Sequence, residues 1–222
     1  KELHVYDDSE FLLESCLVFD KDNVEVALDY IDVLIKRQKY GKALEEATKL
    51  YARDENNLSF MIAYAVTLQQ TNKQKEALEI YNKILSVDKK NPEILVSKGH
   101  LQKTFGDVEA SISSYKKSYQ LDKYYGDAYW SLANLKTYEF TDKEIKQIEE
   151  MITDEYVSDN EKIYMNFALG KAYEDRDELD KVIFAAQTNT IGSNLKFPSN
   201  NRYYAWQSVR EWMNKNNVPV VY

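Results

Sequence analysis

Residues 91–123 read NPEILVSKGHLQKTFGDVEASISSYKKSYQLDK. Asn91 stands where its side chain can accept from an unpaired amide at a helix start, and Pro92 fills a first helical position, where its missing N–H costs no hydrogen bond. Gly106-Asp107 interrupts the helical pattern, and Ser111 and Tyr115 then fall one turn apart on a second helix. The stretch predicts a helix, a short turn and an antiparallel second helix.

The same pattern recurs outward in both directions. Asp20, Asp54, Asp88 and Asp122 are spaced by 34, as are Asn23, Asn57 and Asn91. Tyr30, Tyr64 and Leu132 share one phase, and Ile31, Ala65, Gly99 and Ala133 the next. Ala43, Ala77 and Ser111 coincide early in each second helix, where two helices approach closely and only a small side chain fits. Ala47, Tyr81 and Tyr115 follow one turn later on the same face, which is helical spacing and not strand alternation. A fixed period of this length is the signature of a repeat array.

These residues resemble the tetratricopeptide repeat (TPR) family. The resemblance implies an all-α, right-handed superhelix of antiparallel helix pairs, with units at 24–57, 58–91 and 92–125. Lys98 and Ser111 depart from the family's usual Leu and Ala. Residues 1–23 read as the end of a preceding repeat, with a second helix at 9–22 carrying Phe11, Leu12, Leu13, Cys16 and Leu17 and a first helix missing or degenerate in 1–8. A chain starting at Lys1 reads as a piece of a longer protein. Residues 126–158 form an irregular unit in which Thr141 and Glu144 make a capping box. A degenerate unit follows at 159–190, with Ile163, Phe167, Leu169 and Gly170 on its first helix and 179–186 opening its second.

Residues 191–222 are a C-terminal cap or the start of another domain, and two readings stay open there. In one, 182–186 continues the last repeat and 201–214, with Tyr204, Trp206, Val209 and Trp212, is a capping helix. In the other, 182–186 and 218–222 are strands of a small α/β element. Thr188-Asn189-Thr190 after such a strand faintly resembles SGNH-type esterases, but a nucleophilic Ser and a late His are missing, and His4 and His100 lie far upstream.

Residues 92–181, above all the string AYWSLANLKT at 128–137, resemble the repeat region of bacterial TPR-containing sulfotransferases. That resemblance implies a longer parent enzyme using a phosphosulfate nucleotide. Its phosphate loop would need backbone amides at a helix N-terminus, and nothing after Lys181 supplies one. No catalytic residue is transferred.

The remaining composition excludes several functions. A formal net charge of -8 disfavours nucleic-acid binding, which needs a basic face. The lone Cys16 forms no internal disulfide and no zinc spacing, and its phase with Leu50 and Ile84 predicts a core residue. No apolar run reaches the roughly 18 residues of a membrane span, and a cytoplasmic protein is expected. The 18 tyrosines fall largely on repeat positions and require no cofactor. No catalytic residue, metal site or cofactor is expected.

A binding role remains, with a protein or peptide partner. In a TPR array the first helices line a concave face. In phase, that face takes Leu28, Asp32 and Ile35, then Ile62, Val66 and Gln69, then Val96, His100 and Lys103, and finally Trp130, Asn134 and Thr137. Trp130 is the preferred anchor, since a partly exposed indole gains from burial by a partner. The alternative places it under the helix that begins at Thr141. His100 lacks a second ligand at metal spacing and reads as a groove histidine. Chaperone-binding relatives clamp a C-terminal carboxylate with Lys, Arg and Asn, and Asp32 disfavours that use here.

Overall fold

The computed structural model describes residues 2–178, with side chains from residue 6. Ten α-helices occupy the described residues: α1 (Glu2–Phe19), α2 (Val24–Lys36), α3 (Tyr40–Arg53), α4 (Leu58–Gln70), α5 (Gln74–Val87), α6 (Pro92–Thr104), α7 (Val108–Leu121), α8 (Gly126–Ala133), α9 (Asp142–Ile152) and α10 (Asp159–Glu174). The chain divides into two compact units, Lys1–Asp107 and Val108–Tyr222. The division falls between α6 and α7, inside the predicted repeat at 92–125.

Each residue that repeats every 34 positions has a structural task. Asn23, Asn57 and Asn91 are the N-caps of α2, α4 and α6, and their side chains accept from the amides of Val26, Phe60 and Ile94 at 3.2, 3.2 and 3.0 Å. Asp54, Asp88 and Asp122 end the second helices and turn the chain: each carboxylate accepts from the amide two residues on, of Asn56, Lys90 and Tyr124. Asp20 and Asp88 also accept from the side chains of Asn23 and Asn91, tying turn to cap.

The turn inside each pair shows a regularity that the sequence disguises. Gln38, Asn72 and Gly106 all have positive φ, at 58, 62 and 80°. The next amide, of Lys39, Lys73 or Asp107, reaches back to the carbonyl of Leu34, Leu68 or Gln102 at 2.8 to 2.9 Å. This is a Schellman closure, in which a left-handed residue satisfies carbonyls left open at the helix end. The same closure follows α10, through Asp177 at φ 57° and Glu178 bonding to Tyr173. Thus α10 ends as a first helix of a pair ends.

In the first unit α2 packs on α1, α3 and α4, and α4 and α6 both pack on α5. Ala43 and Ala77 are fully buried at the crossings, so the predicted small contacts hold. Around them lie two apolar clusters. Tyr30, Ile31, Leu34, Ala47, Leu50 and Phe60 form one, and Met61, Ala65, Leu68, Tyr81, Ile84, Ile94 and Leu101 the other. Burying each of the large side chains Ile, Leu, Met and Phe among them contributes about 1.5–3 kcal/mol, and this burial sustains helices too short to persist alone.

The second unit departs from the regular pair. α8 has only 8 residues and stops at Ala133. Leu135 and Phe140 then turn inward and are buried, so the chain spends these residues on packing where a regular repeat would continue the helix. The capping box predicted at Thr141 and Glu144 is present. α8 packs on α7 and α10, and α10 also on α9.

α1 corrects the expectation for the N-terminus. It is one helix from Glu2, not a helix confined to 9–22. Leu13 and Leu17 pack against the first cluster as their phase requires. Cys16, expected in the core, is exposed, and so are Phe11 and Leu12. The readings made for 179–222, namely the second helix of the last repeat, the capping helix and the strands, lie outside the described residues.

Candidate functional site

The first helices α2, α4 and α6 carry the predicted groove residues of the first unit. α4 is apolar on two sides. Met61, Ala65 and Leu68 are fully buried, whereas Ile62, Val66 and Gln69, spaced i, i+4, i+7, form a second stripe that is only half-buried. Tyr81 from α5 fixes the end of that stripe, donating its hydroxyl to Gln69 Oε1 at 3.0 Å. Burial pushes the Tyr81 hydroxyl pKa up to about 12, so it stays a donor across the ordinary pH range.

On α2, Asp32 is exposed and ion-paired with Lys36 one turn along its own helix. On α6, His100 is half-buried and Lys103 exposed in the last turn. Val96 corrects the expectation: it is 2% exposed and belongs to the interior, not to an open face. The extrapolated phase treated α6 as having one buried side, but Ile94, Leu95 and Val96 are three consecutive buried residues.

In the second unit Trp130 is half-buried, with its indole 5.3 Å from the ring of Phe167 on α10 at a tilt of 45°. This contact sets it against α10. Asn134 is exposed and is the C-cap of α8.

Sequence reasoning missed a buried polar hub in this unit. Tyr119 and Tyr138 both donate to Glu144 Oε1, at 2.8 and 2.6 Å, while the amide and hydroxyl of Thr141 donate to Oε2 at 2.9 and 2.8 Å. Lys116 lies 3.6 Å from Oε1 and sits over the Tyr138 ring. Burial works to raise the Glu144 pKa, but the hydrogen bonds from Tyr138, Thr141 and Tyr119 outweigh it and hold the carboxyl down at about 2. The capping box was the only signal in the sequence. The convergence of two tyrosines from 25 and 6 residues away is a tertiary fact.

In the first unit Glu10 of α1 is likewise buried, paired with Arg37 and with Lys39 at 2.8 Å. Both hubs contain ion pairs that anchor helices. Among the described residues no group of His, Cys, Asp and Glu is arranged to hold a metal ion, and no helix is long and apolar enough to cross a membrane.

The model of the tetratricopeptide repeat matches at residues 58–91 and 92–125, in the register read from the aspartates and asparagines. These two segments are tetratricopeptide repeats. No curated protein matches the sequence. Among solved structures, a TPR protein from Parabacteroides merdae is 13% identical, with 95% of this chain and 82% of that one covered and a TM-score of 0.59. A thermophilic TPR protein of Thermus thermophilus is 18% identical, covering 84% of this chain and 91% of that one at a TM-score of 0.54. A chain of the Cut9–Hcn1 hetero-tetramer of the APC/C is 16% identical, with 96% of this chain and 40% of that one covered at a TM-score of 0.65. At these identities the likeness shows the fold, an α-solenoid of TPR helix pairs. The match is to the repeat itself and carries no enzyme with it, so the sulfotransferase resemblance of residues 92–181 finds no further support.

Proposed function

We propose that the protein is an interaction module that holds a segment of another protein against the first helices of its first unit. The observation that carries this reading is α4. A helix apolar all round belongs in a core, yet α4 keeps Ile62 and Val66 half open beside a Gln69 that Tyr81 holds in place. An apolar strip with a fixed amide at its end can seat a side chain of a partner and orient its backbone. Asp32 on α2 and His100 and Lys103 on α6 supply polar groups around the strip. One of the similar structures comes from a hetero-tetramer, which accords with a binding role for such helix pairs.

Trp130 and Asn134 belong to the second unit, and their contribution is a separate matter. The indole is already engaged with Phe167, so the α4 strip is the better candidate for partner contact.

The test is capture of cellular proteins by the immobilised chain, read by mass spectrometry, for the parent, Val66→Asp and Ile62→Asp. Both variants are expected to keep the helical circular dichroism spectrum and to lose the partner that the parent retains. Retention of that partner by both folded variants sinks the reading.

A further inference from the structure

The joint between α1 and the pair that follows it is built differently from the next joint along. Asp7, Glu10 and Glu14 lie at i, i+3 and i+7 on one stripe of α1, and that stripe meets Arg37, Lys39 and Lys42 in the α2–α3 turn and the start of α3. Arg37 pairs with both Asp7 and Glu10. Lys39 donates to Oε1 and Oε2 of Glu10 at 2.8 and 2.9 Å, and Lys42 donates to Glu14 at 3.0 Å while lying 5.3 Å from the centre of the Tyr30 ring. Glu10 is 5% exposed, so its charge is met by these bases and not by water.

In the phase of the repeat, Glu10 stands where α3 and α5 carry Leu44 and Leu78, both packed on the second apolar cluster. Arg37 and Lys42 stand where the next pair carries Thr71 and Glu76. The next joint is closed by Leu44 and by the stacked rings of Tyr51 and Tyr64, 4.7 Å apart. Both sides of the first joint have thus exchanged part of their apolar contact for charge, and only Leu13 and Leu17 of α1 keep the apolar packing. The exchange alters how the joint holds. Apolar contact adheres in proportion to the area buried. A buried carboxylate must first offset its lost hydration, so the network adds little adhesion over a leucine, yet taking away one base leaves a buried charge short of a partner. The joint stays closed only while its charges balance. α2 does not depend on it, because its cap Asn23 accepts from Val26 within its own first turn, and α1 can swing about residues 20–23 without unwinding α2.

We propose that this joint is a charge-gated hinge: when one base of the Glu10 network is neutralised, α1 swings off the α2–α3 pair ahead of any opening of the apolar clusters. Opening bares Leu13, Leu17 and the edge of the first cluster against which they pack. It leaves Ile62 and Val66 of α4 where they are, so the hinge stands or falls apart from the interaction reading.

The test is amide hydrogen exchange of the full chain, read by mass spectrometry, for the parent, Lys39→Met, Glu10→Leu and the double variant. Lys39→Met removes one charge at a side chain that is 43% exposed. It is expected to speed exchange between residues 9 and 19 at least ~10-fold and to leave α4 and α5 unchanged. Glu10→Leu installs the residue of the next joint, and in that background Lys39→Met should speed the same amides by less than ~2-fold. Glu10→Gln, which keeps the shape and removes the charge, replaces Glu10→Leu if circular dichroism shows that chain unfolded. Exchange in α1 that Lys39→Met leaves unchanged, that rises equally in both backgrounds, or that rises together with exchange in α4 and α5 overturns the proposal.

Discussion

The hydroxyl of Tyr119 on α7 donates to the carboxylate of Glu144 on α9 at 2.8 Å, joining two helices 25 residues apart through a buried charge. All four close hydrogen bonds to that carboxylate come from donors, on both oxygens. In Glu144→Gln the amide must turn its NH2 toward two of them, leaving the donors facing each other. The expected cost is on the order of 2 kcal/mol to the second unit, measured by urea unfolding.

The same carboxylate sets a pH dependence. Its folded-state pKa of about 2 lies below the ordinary 4.5 of a glutamate. Its contribution is therefore complete above pH 4.5 and drains as the pH falls from 4.5 toward 2. Glu144→Gln should flatten that part of the stability curve. Equal acid sensitivity in parent and variant would assign the loss to other groups.

Gln38 holds a left-handed conformation at φ 58° in the turn where Gly106 sits in the third repeat. A non-glycine residue there carries steric strain that glycine lacks. Gln38→Gly is expected to stabilise the first unit by about 0.5–1 kcal/mol, and Gly106→Ala to destabilise by about 1 kcal/mol. Thermal melts of the two variants should shift in opposite directions.

Gly126 opens α8 against α10. A Cβ built there would lie 2.5 Å from the carbonyl oxygen of Glu161 and 3.0 Å from Tyr164 Cβ. Because one neighbour is backbone, no side-chain rotation relieves the clash, and α8 must move away from α10. Gly126→Ala is expected to cost on the order of 2 kcal/mol and to speed amide exchange in both helices.

Trp130 separates packing from recognition. If its main task is the contact with Phe167, Trp130→Ala lowers stability by about 2 kcal/mol, and Phe167→Ala lowers it similarly without the losses adding. A folded Trp130→Ala chain of unchanged melting temperature would return the indole to the list of partner anchors.

The regular pairs were legible because their determinants are local. An asparagine cap, an Asx turn and a small residue at a crossing each act within a few residues, and a period of 34 repeats them in register. The left-handed turns were partly legible: Gly106 and Asn72 are residue types that take this conformation at helix ends, while Gln38 adopts it without such a signal. The open second face of α4 could be placed in phase, but Val96, assigned to the same face on α6, is buried.

From the sequence alone came the helix-pair repeat, its phase and the caps that start each first helix, since these rest on nearest-neighbour chemistry along the chain. Only the tertiary structure decided that Cys16 and Phe19 of α1 are exposed, that Trp130 rests on Phe167, and that Tyr119 and Tyr138 close on Glu144. Burial depends on what packs against a residue from elsewhere in the chain, and periodicity specifies a face without specifying what covers it.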